Sequence, residues 1–188
     1  MTNKYNQEQN QLVKECLFEA LIQIMKRKNF YSISITELTQ KAGVSRMAFY
    51  RNYSIIEDIL IESIDNIYND YGNLLRHNSI EINKMMQLYF QHFRKHQTLI
   101  NTLLSANLGH LFFSQLIKFM EIFSTEIMCS IECSAEYKLY SSEFLAGGIY
   151  QVLMTWCKNG MIENDEEMAI LISNSISLHI QTLKDLRM

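Results

Sequence analysis

The chain has 188 residues and a mass of 22.1 kDa, a size that suits one domain or a small domain joined to a larger one. With 48% hydrophobic residues it can build a substantial core, which argues against a disordered chain, and with no proline and only six glycines it reads as all-α. The net charge of −3 is unevenly spread: residues 1–53 hold eight basic and four acidic side chains and residues 54–188 hold nine and sixteen, so a basic head precedes an acidic body.

No apolar run approaches the ~18–20 residues needed to span a bilayer. The N-terminal stretch MTNKYNQEQNQ lacks the apolar centre of a signal peptide. A cytoplasmic protein with no membrane partner is expected. Cys16, Cys129, Cys133 and Cys157 form no CxxC and lie in apolar-periodic segments, which predicts reduced, buried thiols.

A first helix is predicted over 8–28, where Val13, Leu17, Ala20, Leu21 and Ile24 recur at helical spacing. Lys26, Arg27 and Lys28 would close its last turn, where cations suit the helix dipole. Ser34-Ile35-Thr36-Glu37 is a capping box, flanked by Ile33 and Leu38 at the positions of a hydrophobic staple. It opens a short helix over 35–42 that Gly43 ends. Ser45 can cap another short helix over 46–52, giving a helix-turn-helix plan. Ser54-Ile55-Ile56-Glu57 reads as a second capping box, opening a long helix over 55–75 with Ile56, Ile59, Leu60, Ile64, Ile67, Tyr71 and Leu74 along its stripe. Further helices are predicted over 81–96, 98–106, 109–132, 136–158 and 163–185.

Within 46–52, Phe49 and the flanking Val44 and Tyr53 are spaced to face the preceding helices, leaving Arg46, Met47, Tyr50, Arg51 and Asn52 outside. A helix set into a major groove needs this division. Arg46 can offer a bidentate fork to guanine and Met47 can touch a thymine methyl. Tyr50, Arg51 and Asn52 can meet phosphates. Backbone N–H groups near Ser34 and Thr36, and the cap at Ser45, lie at helix starts that suit phosphate. On charge alone, an ordinary solvated face explains these residues equally well.

The run SISITELTQKAGVSRMAFYRNYSIIEDIL resembles the DNA-binding region of TetR-type transcriptional regulators, over about residues 10–65. The resemblance implies a head over 1–54, a linking helix over 55–75, and an effector-binding and dimerisation domain over 76–188. It also implies DNA contacts at the positions of Arg46, Met47 and Tyr50, and backbone contacts at Thr36 and Asn52. The family often has threonine at the position of Ala48 and Ser-Lys at that of Ile55-Ile56, so two phosphate contacts are missing here.

In the body, Gly147-Gly148 inside a predicted helix costs roughly 1 kcal/mol per glycine relative to alanine, which suggests a close approach by another helix. The resemblance implies a homodimer formed by the last two helices. Gly148, Ile149, Val152, Trp156, Leu171, Ile172, Ser175 and His179 are the expected interface. The segment FLAGGIYQVLMTWCKNG is similar to a subgroup that includes regulators of dihydroxyacetone metabolism.

A methionine and aromatic stripe is more often plain core than a ligand box. The family's effector cavity nevertheless suggests an apolar or aromatic effector, or control by a protein co-regulator. The expected lining is Met86, Tyr89, Phe90, Phe93, Phe112, Phe113, Phe119, Met120, Phe123, Tyr150 and Met154. His92 and His96 stand at i and i+4 but beside Arg94 and Lys95, which favours solvated helix-end histidines over a metal site. No metal, cofactor or nucleophile–base pair stands out, so a non-enzymatic protein is expected. The resemblance implies a repressor on a near-palindromic operator, with an all-α protein-interaction module or an activator controlled by a protein partner as the rivals.

Overall fold

The computed structural model describes residues 2–76, 81–127 and 134–185, and of residues 2–5 and 122–127 the backbone alone. Among the described residues there are nine helices and no strand: α1 (Thr2–Met25), α2 (Ile35–Ala42), α3 (Arg46–Asn52), α4 (Glu57–Arg76), α5 (Ile82–Arg94), α6 (Gln97–Ser105), α7 (Gly109–Ile127), α8 (Ala135–Lys158) and α9 (Asp165–Asp185). The all-α reading holds, and α2 and α3 have the expected bounds.

The ends of α1 differ from expectation. It begins near Thr2, because asparagine and glutamine extend a helix without marking an apolar face. It stops at Met25, so Lys26, Arg27 and Lys28 follow the helix instead of ending it. Lys28 reaches Glu37 at 2.8 Å.

Ser34 accepts the Glu37 N–H as predicted, and the Glu37 carboxylate, held low first by its bond to Lys28, also takes the Ser34 backbone N–H. The box before α4 is corrected: Asp58 reaches back and accepts the N–H groups of Ser54 and Ile55 at 2.7 and 3.0 Å. Aspartate supplies the acceptor there, and α4 starts two residues later than predicted, at Glu57.

Helix α1 packs on α2, α3, α4 and α6, while α4 also packs on α5 and α7 and so joins head to body. Leu17, Leu21, Leu38, Phe49, Leu60 and Ile64 are fully buried in a core that continues through Tyr71, Phe90, Phe93 and Phe112. Along α4 the buried stripe takes in Tyr68 and Leu75, whereas Leu74 is exposed. The most extensive contact in the body is α5 against α9.

Packing within the protomer corrects part of the expected subunit surface. Ile149, Trp156 and Ile172 are buried within the protomer. The Trp156 indole donates to the Glu163 carbonyl at 3.2 Å, and the Arg94 guanidinium lies 4.6 Å over its ring. Arg94 in turn holds the α8–α9 connection through Asp165 and the carbonyls of Met161 and Glu163. Gly148, Leu171 and Ser175 are exposed, and Val152 and His179 half-buried.

His92 is also corrected: it is buried, and its Nε2 lies 2.9 Å from the Ile67 carbonyl. Burial holds its ring below the usual imidazole range. Cys157 is buried and Cys16 half-buried; Cys129 and Cys133 lie outside the described residues.

Head and linking helix are tied by a polar cluster, in which Lys14 of α1 and the Tyr53 hydroxyl both donate to the Glu62 carboxylate of α4. Burial alone would raise the Glu62 carboxyl, but the bonds from Lys14 and Tyr53 outweigh it and hold the group below its ordinary value. A depressed carboxyl stabilises the fold above its unfolded pKa and loses that effect as pH falls through its folded pKa. Glu62→Gln should therefore lower stability by about 0.5–1 kcal/mol at pH 7, the range for a solvent-screened pair. In urea titrations the difference from wild type should begin to shrink as pH falls through the ordinary glutamate value of about 4.3 and vanish only below the depressed folded value.

Candidate nucleic-acid interface

The interface is built by two short helices and the turn between them. Helix α2 has two turns and α3 seven residues, too few to be stable alone, so capping and packing hold them. Gly43 adopts φ +67°, a left-handed conformation that ends α2 and that a side chain would strain. Ser45 then starts α3 by accepting the Ala48 N–H at 3.1 Å.

One face of α3 is anchored. Phe49 is fully buried, with Tyr53 6.0 Å away between ring centroids. The opposite face is open. Met47 is 74% exposed and Tyr50 50% exposed, and Arg46 and Arg51 are exposed too. Arg46 and Arg51 make no ion pair with any described residue. Four side chains of the expected set thus share one solvent face, with two unneutralised guanidinium groups.

The other expected residues are placed differently. The Ser34 and Ser45 oxygens are occupied by the caps, although each hydroxyl hydrogen can still donate outward. Thr36 is exposed on the first turn of α2. Asn52 is half-buried and donates its amide to the Ala48 carbonyl at 2.9 Å, which holds it against its own helix.

The expected effector residues gather in the body. Met86, Tyr89, Phe90, Phe93, Phe112 and Met154 are buried; Phe113, Phe119, Met120 and Tyr150 are half-buried. The Phe123 side chain lies outside the described residues. Two members were missed from sequence. Tyr68 of α4 contacts the rings of Phe93, Phe112 and Phe119, and Gln115 of α7 lies between Phe112 and Phe119 in the helix. Their signals were a tyrosine one turn beyond Ile64 and a lone glutamine in an apolar run.

The polar atoms of this cluster divide into two groups. Tyr71 donates to the Met85 carbonyl at 3.0 Å, and His92 has Ile67. The hydroxyls of Tyr68 and Tyr89 are buried and face each other, with no other partner among the described residues, and the Oε1 atom of Gln115 is buried there without one. Burial drives both tyrosine hydroxyls far above their usual pKa, so they are neutral donors.

Comparison with family models matches residues 81–178 to one described as a transcriptional regulator C-terminal region, of the TetR type. No curated protein sequence matches the chain. Among solved structures, one from Listeria innocua, Lin0861, has a TM-score of 0.71 at 16% identity, over 90% of this chain and 92% of its own. A TetR transcriptional regulator from Streptococcus agalactiae has a TM-score of 0.64 at 17% identity, over 93% and 98%. The dihydroxyacetone kinase operon activator DhaS has a TM-score of 0.59 at 19% identity, over 90% and 97%. At these identities the structural likeness speaks to the fold.

Ser45→Ala should cost about 1 kcal/mol of stability and Ser45→Gly only a few tenths, because glycine is tolerated at a cap. Chemical denaturation of the two variants checks this ordering.

Proposed function

The chain belongs to the TetR family of transcriptional regulators, and on that premise we propose that it binds a near-palindromic operator as a homodimer and represses transcription until an effector releases it. The observation that carries the proposal is the open face of α3. There Arg46, Met47, Tyr50 and Arg51 are exposed and unneutralised on a helix whose other face is locked by Phe49. Arg46 is the base reader, Met47 meets a thymine methyl, and Tyr50 and Arg51 hold phosphates. Thr36 and the cap serines add backbone contacts. Repression follows from occupancy, since a protein clamped on a promoter excludes polymerase.

Two heads require two chains. Gly147 and Gly148 support this, because a Cβ at either would meet nothing within 4 Å in the protomer. The helical cost of two glycines is therefore not repaid by any packing inside one chain. Tyr140 and Phe144 of α8 and Leu171 and Leu178 of α9 are also 59–71% exposed. A partner's last two helices would bury this surface, with Gly148, Val152, Leu171, Ser175 and His179 among the contacts and Gly147-Gly148 as the point of closest approach.

The buried Gln115 Oε1 atom, without a partner among the described residues, and the Tyr68 and Tyr89 hydroxyls that face each other support an effector with an apolar body and one uncharged hydrogen-bonding group. None of the three carries a charge to balance an anion or cation. Helix α4 holds both Tyr68 and Glu62, so an effector that engaged Tyr68 would act on the element tied to the head. The effector must favour the conformation that does not fit DNA.

Titration of a duplex from the gene's own promoter tests DNA binding. The promoter should be bound well above random duplex, with a log-log salt slope of several units. Arg46→Ala should lose about 1–3 kcal/mol at one base position. Equal affinity for random DNA would refute the reading. Sedimentation should give a two-chain species for wild type and a one-chain species, still helical by circular dichroism, for Gly148→Leu. A two-chain species in the variant would contradict the glycine contact.

A further inference from the structure

A cleft of about 640 Å³ lies between the start of α1 and α3. Asn6, Gln7, Gln9, Asn10, Leu12 and Val13 line one wall, and Ala48 and Arg51 of α3 line the other. Among the described residues Arg51 is the one ionised side chain in that lining, and none of them places a carboxylate there. Asn6 and Gln7 are exposed and Asn10 is half-buried, and Asn6 and Asn10 lie one turn apart on the same face of the helix. The cleft thus combines several amide donors, a single cation and a small apolar strip from Leu12 and Val13.

This chemistry fits a sugar–phosphate strand. The amides can donate to phosphate oxygens, Arg51 can neutralise one phosphate, and the apolar strip can lie against deoxyribose. An acidic peptide calls for more than one cation and a basic partner for carboxylates; the described lining offers one cation and no carboxylate. Position points the same way. One wall of the cleft is α3 itself, so the strand flanking any duplex seated on Met47 and Tyr50 must pass its mouth. Ala48, which has no hydroxyl to give a phosphate, faces these amides across the cleft.

We propose that this cleft seats the DNA backbone beside the half-site, with Asn6, Gln7 and Asn10 as positioning residues that replace the donor absent at Ala48. The inference rests on the DNA-binding reading above. Because amides are neutral, their contacts release no counterions of their own. They add affinity without sequence preference and without steepening the salt dependence, which separates them from Arg51.

The test is a salt-series titration of the promoter duplex and a random duplex with wild type, Asn6→Ala/Asn10→Ala, Asn10→Lys and Gln23→Lys. Alanine is the better helix former, so the double variant keeps α1 intact. It should bind both duplexes about 5- to 150-fold more weakly, the loss of two neutral hydrogen bonds, with an unchanged salt slope. Asn10→Lys should bind more tightly and steepen the slope by about one unit, a gain that misfolding cannot produce. Gln23→Lys adds the same charge at an exposed site near the other end of α1 and should leave the slope unchanged. If wild type binds the promoter but the double variant matches it and Asn10→Lys leaves the slope alone, the inference is overturned by itself. If wild type does not distinguish the promoter from random duplex, the DNA-binding reading falls and the inference with it.

Discussion

A seven-residue helix cannot hold its shape in water, and the reading of this protein depends on one that does. What holds α3 is the burial of Phe49 at its centre and of Tyr53 just past its end. Full burial of an aromatic ring is worth roughly 1.5–3 kcal/mol, more than the helix gains from any single hydrogen bond. The Ser45 cap fixes where the helix begins, and Gly43 sets the angle at which it leaves α2. Only with one face fixed in this way can the other stay polar and open without melting.

The same anchor connects the interface to the body. Tyr53 gives its ring to the head core and its hydroxyl to Glu62 of α4, and Lys14 of α1 meets the same carboxylate. Two turns further along, α4 enters the aromatic cluster at Tyr68 and Tyr71, which touch rings from α5 and α7. One rigid helix therefore has one end in the polar tie and its middle in a core that buries the Tyr68 and Tyr89 hydroxyls. A change around Tyr68 has a short mechanical route to the angle of α3. Such transmission needs a two-state element, and α4 is the element that the Tyr53 anchor and the aromatic cluster share.

Much of this was legible in the sequence where the signals are local. The bounds of α2 and α3 followed from Ser34, Gly43 and Ser45, because caps act within one turn. The anchors Phe49 and Tyr53 followed from spacing. Signals that depend on distant partners were not legible. Glu37 shares its carboxylate between the cap and Lys28, nine residues away, a partner that the capping pattern does not show. Asp58 displaced Ser54 as the cap because its carboxylate accepts two N–H groups at once. Spacing showed that Ile149, Trp156 and Ile172 lie on apolar faces, but not whether a partner chain or the protomer covers them; the protomer does. Tyr68 and Gln115 become notable only once α4 and α7 are seen to meet.

The account is tested most directly by letting the protein choose its own DNA. Selection from random-sequence duplex should enrich a motif with two-fold symmetry, its half-site centres about one helical turn, or a multiple, apart. At least one base pair in each half-site should be a guanine contact that Arg46→Ala relaxes. A pool that enriches no motif after repeated rounds, or one with a single unrepeated half-site, would contradict the claim that two copies of α3 read an operator together.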